Sequence, residues 1–331
     1  MSKPTVLVTG GAGYIGSHVL LALLEKNFPV VVLDNLSTGH REAIPDECRF
    51  VEGNAGDREL LASLFADNTI AAVIHFAGSI IVEESVEKPI EYYENNTVVS
   101  LRLIQACVEA GVNNIIFSST AAVYGDDAAT PVTESSQLSP INPYGHSKAM
   151  TEQFLSDTAK ATALTYIALR YFNVAGADAQ CRTGQRSRQS THLLKVACET
   201  ALGKRDKMTV FGSDYPTRDG TCVRDFIHVS DLATAHVRAL EYLLEHDESL
   251  VLNCGYGSGY SVRQVLDALQ QRTGEKMNII DGERRAGDAV ELVADNSRLS
   301  SILNWKPEHD DLATIISDAL RWEEHFNGKA Q

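Results

Sequence analysis

Tyr144 and Lys148 stand four residues apart in the run NPYGHSKAMTEQFL, and Tyr144 is the only one of the eleven tyrosines with a lysine at that spacing. Pro143 suits the first position of a helix, which puts the two side chains on one face. A phenol ionises near pH 10 and is a poor base at neutral pH; bringing it to about 7 takes roughly 4 kcal/mol of preference for the phenolate. A neighbouring ammonium supplies part of that preference. Upstream, an apolar run ends in Ser118, Ser119 and Thr120. A hydroxyl at Thr120 can share a hydrogen bond with a substrate oxygen and line up the proton path to Tyr144. The chemistry this set suits is removal of a proton from an alcohol, with Tyr144 as general base. Taken alone, the tyrosine–lysine pair reads more readily as an amphipathic pair on a solvated helix, so the surrounding elements decide.

The first of those elements is 5–16, TVLVTGGAGYIG, where β-prone residues run into a glycine cluster and then a helical apolar pattern. That order predicts strand, tight turn, helix. Glycines there let the backbone reach positive φ and approach a ligand, while the helix N-terminus aims unpaired N–H groups at it, a natural pyrophosphate seat. Gly11, Gly13 and Gly16 fit the GxGxxG fingerprint; Gly10, Gly13 and Gly16 fit the GxxGxxG variant. Eighteen residues after Gly16 a second apolar run ends in Asp34, where dinucleotide folds place a carboxylate on ribose hydroxyls. The implied ligand is a dinucleotide, and the positive ring of a nicotinamide would also favour a tyrosine phenolate.

The chain of 331 residues is 44% hydrophobic and 22% charged, long enough for one large α/β domain and a smaller one. A net charge of −15 without a basic stripe excludes a nucleic-acid footprint, and an anionic nucleotide would need local arginines. Cys48, Cys107, Cys181, Cys198, Cys222 and Cys254 form no CxxC pair and no ligand-spaced cluster with histidine, so no metal site is expected and most of the thiols read as core or near-core residues of a reducing compartment. No leader pattern opens the chain and no apolar run is long enough to cross a bilayer, so the expected setting is cytoplasmic, without membrane contact.

Strand-like runs at 5–9, 30–33, 49–51, 72–76, 114–118 and 165–169 alternate with helical patterns, which predicts a Rossmann-type, doubly wound parallel sheet. Ligands gather at the carboxyl ends of such strands. That rule selects Gly10 to Gly16, Asp34, His75 to Gly78, Ser118 to Thr120 and the stretch 170–176. Beyond 176 the pattern changes: a polar loop over 178–189, a helix over 191–202, strands at 208–211 and 223–229, and a helix over 230–246 capped by Ser230 or Asp231. A strand at 250–254, a helix at 261–272, a strand at 277–280 and a helix at 310–326 follow. The expected division is a dinucleotide-binding domain over 1–176, with 230–254 packing back on it, and a smaller α/β substrate-binding domain over 177–229 and 255–331.

Glycine turn, strand-end Ser/Thr and YxxxK in that order resemble the short-chain dehydrogenase/reductase superfamily. The longer series VTGGAGYIGSH, DNLSTG, HFAG, YYENN, FSSTAAVYG, NPYGHSK, RYFNVAGA, DYPTRDGTCVRDFIHVSDLA and RRAGD runs in order along nearly the whole chain and resembles the UDP-glucose 4-epimerase family. DYPTRDGTCVRDFIHV is its most specific piece. The resemblance implies an enzyme that keeps NAD bound and interconverts UDP-galactose and UDP-glucose through a 4-keto sugar, with Tyr144 as base, Lys148 as its partner and Thr120 as the aligning hydroxyl. It further implies that Gly10, Gly13, Tyr14, Ile15, Gly16, Asp34, Asn35, Asn54, Phe76, Ala77, Asn95, Ser118 and Phe172, with Tyr144 and Lys148, border NAD. Asn173, His192, Leu193, Arg224, Arg285 and Asp288, with Thr120 and Tyr144, fall at the UDP-sugar. A homodimer packing the helices after Pro89 and Pro143 is implied as well.

Plainer roles stand beside these. Arg224 can pair with Asp225 or another nearby carboxylate, Arg285 with Glu283, and His192 can be a cap or core residue. The chain departs from the family pattern at Asn54, where relatives carry Asp; at Ile80, in place of a lysine near the pyrophosphate; at His146, in place of a lysine; and at Leu292, near the residue that makes room for a 2-acetamido group. A nucleotide-sugar 4,6-dehydratase needs an Asp-Glu pair after the strand-end threonine, and Ala121 and Ala122 stand there instead. Other UDP-sugars (UDP-GlcNAc, UDP-xylose, UDP-glucuronate) and a catalytically silent NAD-binding role are the alternatives.

Overall fold

The structure is a computed structural model and describes residues 3–126, 128–187, 190–285 and 288–328. Parts of the 178–189 loop and of the RRAGD motif, namely Arg188, Gln189, Ala286 and Gly287, lie outside the described residues, as do 1–2 and 329–331 at the ends of the expected domains.

The first half alternates strand and helix: β1 (Thr5–Thr9), α1 (Tyr14–Glu25), β2 (Val30–Asp34), β3 (Arg49–Glu52), α2 (Arg58–Asp67) and β4 (Ile70–His75). Then come α3 (Val82–Glu87), α4 (Pro89–Tyr92), a π-helical stretch (Tyr93–Val98), α5 (Val99–Ala110), β5 (Asn114–Thr120), α6 (Pro143–Ala161) and β6 (Thr165–Tyr171). The second half holds β7 (Asn173–Ala175), α7 (Leu193–Ala201), β8 (Met208–Phe211), β9 (Val223–His228), α8 (Val229–Glu245), β10 (Leu250–Cys254) and β11 (Gly259–Ser261). It closes with α9 (Val262–Thr273), β12 (Ile279–Gly282), β13 (Glu291–Leu292), α10 (Ser297–Ile302) and α11 (Leu312–Gly328).

Seven parallel strands form the main sheet in the order β10-β6-β5-β4-β1-β2-β3. The chain winds outward from β1 in one direction and from β4 in the other, so the β1/β4 boundary is the switch point where the strand-end loops part and leave a crevice. Alternation along the strands feeds two cores. Val6, Val8, Ile74 and Ile116 pack against Val19, Leu20 and Leu23 of α1 and Leu232 and Leu240 of α8. Leu7, Val73, Ile115 and Phe117 meet Leu61, Leu103, Ile104 and Leu155 on the other face. A third core, with Leu194, Met208, Phe226, Leu269 and Ile316, lies among α7, α9 and α11. β9 pairs with β11, β13 and β7, and β8 pairs with β12.

Several expected boundaries shift. β5 runs on through Thr120 and β6 through Tyr171, because the two strands keep pairing to Thr120–Tyr171. The strand expected over 277–280 is Ile279–Gly282, in parallel register with Met208–Phe211. The cap of α8 is His228 rather than Ser230 or Asp231: its imidazole accepts from Ser230 N at 3.1 Å, and Asp231 instead accepts from Tyr256, Glu308 and His309.

Candidate active site

α6 starts where the sequence predicts. Asn142 caps it, its Oδ1 accepting from Gly145 N at 2.8 Å, and Pro143 fills the first position. One turn apart, Tyr144 and Lys148 face the end of β5. Lys148 is buried, donates from Nζ to Ser118 O at 2.9 Å, and lies 4.9 Å from the Phe117 ring centre and 6.0 Å from that of Tyr144. Burial lowers its pKa to about 8. Burial also pushes the Tyr144 phenol above its ordinary value, while the nearby Thr120 hydroxyl pulls it the other way. Desolvation thus drives both groups toward neutrality, and a cationic ring brought beside the phenol is the kind of charge that reverses the trend for tyrosine. Thr120 Oγ1 also accepts from Ala122 N at 3.1 Å, fixing the short turn after the strand.

The glycine turn closes against the loop after β4. Gly10 has φ +73°, and a Cβ there would sit 2.5 Å from Ala77 N; one on Gly16 would sit 2.4 Å from Gly10 O. Gly13 is the cap residue of α1 and offers no side chain to its first amides. Asp34 is buried, with Oδ2 accepting from Ala12 N at 2.9 Å and Oδ1 from Leu36 N at 2.8 Å, which holds the carboxylate against the turn. Asn35 and Asn54 accept from Ser37 N and Gly56 N in their own loops. Tyr14 donates to Gly176 O at 2.6 Å, and burial raises its pKa. A turn that a single Cβ would fill, free helix amides and a fixed carboxylate together fit a dinucleotide.

Asn95 and Asn96 come from the π-helical stretch, a distortion often found at functional sites. Asn95 Nδ2 donates to Ser79 Oγ at 2.9 Å. Asn96, which the sequence reading passed over, clamps the loop after β4: it accepts from Ser79 N at 2.7 Å and donates to Ser79 O at 2.9 Å and to Ser147 Oγ at 3.2 Å. The available signal was a pair of poor helix formers inside a helical run.

One cavity of about 1130 Å³ gathers much of the predicted set. Ile15, Phe76, Ser118, Thr120, Tyr144, Lys148 and Phe172 line one part, with Asn173, His192, Leu193, Arg224, Arg285 and Asp288 along the rest. Gly10, Gly13, Tyr14, Gly16, Asp34, Asn35, Asn54, Ala77 and Asn95 do not line it; all but Asn95 lie at or just after the ends of β1–β4 or at the start of α1, and Asn95 lies in the π-helical stretch. Arg224 pairs with a carboxylate other than Asp225, and the partner of Arg285 differs from the one the sequence suggested. Arg224 pairs with Asp288 at 3.1 Å, while its neighbour Asp225 is turned inward and accepts from Tyr256 N, Gly257 N and Ala294 N. Arg285 pairs with Glu83 at 3.1 Å rather than with Glu283, and its guanidinium lies 4.0 Å from the centre of the Phe211 ring. Phe211 is a further lining residue that sequence reasoning missed, since one aromatic in a short strand carries no signal of its own. His192 stands at the start of α7 without a side-chain cap bond, and burial lowers its pKa, so the imidazole is neutral near pH 7. Leu292 lies beside Arg224 in the β13–β9 pairing, and Ile80 is 54% exposed on the cavity wall.

A parallel sheet with a glycine turn at its switch point and a hydroxyl–phenol–ammonium set beside an arginine-bearing cavity defines a nicotinamide-dinucleotide enzyme acting on an alcohol carbon of an anionic ligand. Residues 6–255 match the NAD dependent epimerase/dehydratase family. The chain is 53% identical over 322 residues to a UDP-glucose 4-epimerase of Azospirillum brasilense, covering 97% of this chain and 92% of that one. Among solved structures, a UDP-glucose 4-epimerase from Stenotrophomonas maltophila with bound NAD and formylated UDP-arabinopyranose superposes with TM-score 0.95 at 37% identity, covering 98% and 99% of the two chains. A UDP-glucose 4-epimerase from Brucella ovis in complex with NAD does so with TM-score 0.93 at 43% identity, covering 96% and 98%. The chain belongs to the NAD dependent epimerase/dehydratase family, within its UDP-glucose 4-epimerases.

Proposed function

We propose that the chain interconverts UDP-galactose and UDP-glucose, with Tyr144 as the base that takes the proton from the sugar 4-hydroxyl. The glycine turn and Asp34 would hold NAD, which when bound would supply the reversible two-electron oxidation at C4. Thr120 orients the 4-oxygen toward Tyr144, and Lys148 stabilises the phenolate and would hold the cofactor ribose. When the keto sugar is reduced again on its other face, Tyr144 returns the proton. Arg224 and Arg285 carry the diphosphate through charge-assisted hydrogen bonds, and the Phe211 ring, 36% exposed on the cavity wall, suits a pyrimidine. In this reading 1–176 with 230–254 serves the cofactor, and 177–229 with 255–331 serves the nucleotide-sugar.

The observation that carries the proposal is the sharing of one cavity by Thr120, Tyr144 and Lys148 with Arg224 and Arg285. Ala121 and Ala122 leave no carboxylate beside Thr120 for elimination, which favours epimerisation over dehydration. No helix among the described residues is long and apolar enough to cross a membrane, and we place the enzyme in the cytoplasm. We also propose a homodimer: Leu101 on α5 and Met150 on α6 are exposed apolar side chains on helices that lie together, with Ile90 and Val98 nearby in the chain. Tyr144→Phe tests the mechanism. The variant should keep its bound NAD and lose turnover by about 10²-fold or more; full turnover overturns the assignment of the base.

A further inference from the structure

We propose that Ser119, Glu152 and Arg170 form a positioning lock that sets how the Tyr144 face of α6 meets the end of β5. Glu152 follows Lys148 by four residues and Tyr144 by eight, so all three project from one face of the helix. Three consecutive residues of β5 answer them. Thr120 shares the cavity wall with Tyr144, the Ser118 carbonyl accepts from Lys148, and Ser119 Oγ donates to Glu152 Oε1. Ser119 is directly paired across the sheet with Arg170 of β6. Arg170 grips the same carboxylate with both arms of its guanidinium, Nε to Oε1 at 3.0 Å and Nη2 to Oε2 at 2.5 Å. From there Nη1 donates to Tyr124 Oη at 2.9 Å, and Tyr124 in turn donates to Asn253 Oδ1 of β10 at 2.6 Å.

Ser119, Glu152 and Arg170 are all buried, at 1%, 6% and 4% exposure. A buried ion pair seldom adds net stability over apolar side chains of the same volume, so stability alone is a poor reason for one here. Its directional bonds do what apolar packing does not: they fix the rotation and height of a helix on a sheet. Apolar contacts such as Leu155 on Phe117 would tolerate a small slide. The reaction would not, since about 1 Å of misplacement costs on the order of 10²-fold in rate. Ser119 and Glu152 act through Tyr144 and touch no substrate, so they are positioning residues, and the inference rests on the reading of Tyr144 as base.

The test compares Ser119→Ala, which removes only the strand-to-helix bond, with Glu152→Gln, each in the wild-type chain and in a Tyr144→Phe background. The probe is UDP-galactose, and NAD content and thermal midpoint are measured on the same samples. The lock predicts that Ser119→Ala keeps NAD and fold, lowers kcat about tenfold with KM within about twofold, and leaves the residual rate of Tyr144→Phe nearly unchanged. An unaltered kcat in Ser119→Ala, or an equal proportional loss in both backgrounds, overturns it. Should Glu152→Gln fail to fold, Ser119→Ala alone decides. A fully active Tyr144→Phe would instead sink the underlying reading of the base, which keeps the two failures apart.

Discussion

Burial lowers Lys148 to about 8 because its ammonium has one backbone carbonyl, the Ser118 oxygen, and a ring face in place of water. Activity that needs the ammonium beside Tyr144 should fall as pH rises through about 8, visible as an alkaline limb in kcat/KM; a profile flat to pH 10 would contradict it. Stability runs the other way. The unfolded chain keeps this proton up to the ordinary lysine value of about 10.5. Between the two values it therefore binds more protons than the folded chain, and the contribution of this site to stability rises with pH, by about 3 kcal/mol across the window. Lys148→Met should accordingly be more stable than wild type at pH 7 in urea melts, with the gap closing by pH 10; a constant gap would contradict the shift. Tyr144 and Lys148 were legible in the sequence because a four-residue spacing is a local property of one helix. The carboxylates that hold Arg224 and Arg285 were not, because Asp288 and Glu83 come from segments far along the chain, and sequence neighbours such as Asp225 and Glu283 were the only candidates that spacing offered.

Elements, rather than single side chains, position the cofactor site. A Cβ on Gly16 would meet Gly10 O at 2.4 Å and Gly11 Cα at 2.8 Å, both backbone atoms that cannot yield without opening the turn. Gly16→Ala should cost about 1–3 kcal/mol in overpacking and leave the purified protein with little NAD, measured as NAD released per chain. Gly111→Ala is the control: it ends α5 at φ +72° with open space around it, so it should cost about 1 kcal/mol of strain and leave NAD content unchanged. Full NAD content in Gly16→Ala would contradict the close-packed turn. The strand–glycine–helix order was legible because each part has its own period. Where strands end was not: Ser119 and Thr120 read as loop by composition, yet stay in the sheet because β6 continues alongside. Two-residue β13 and the π-helical turn carry too few residues for any period to appear.

For the whole molecule, a net charge of −15 makes the arginines of the cavity local exceptions, which is how an acidic protein receives a diphosphate. The winding of the sheet was legible in the alternation of strands and helices. How the later strands assemble into small mixed sheets was not, because their pairings link distant stretches such as Val223–His228 with Asn173–Ala175. The exposed side chains of α5 and α6 belong to this scale. The native mass should be that of two 36.1 kDa chains, falling to one when Leu101 and Met150 are both changed to Glu, by light scattering; a wild-type protein with the mass of one chain would contradict the dimer. The central claim is epimerisation at C4 with a cofactor that does not leave. The direct measurement is to incubate the purified protein separately with UDP-galactose and with UDP-glucose, adding no NAD, and to follow the anomeric signals by proton NMR. The account predicts that each sugar converts to the other and that both samples reach one ratio. No conversion from either side, even after NAD is supplied, would contradict it.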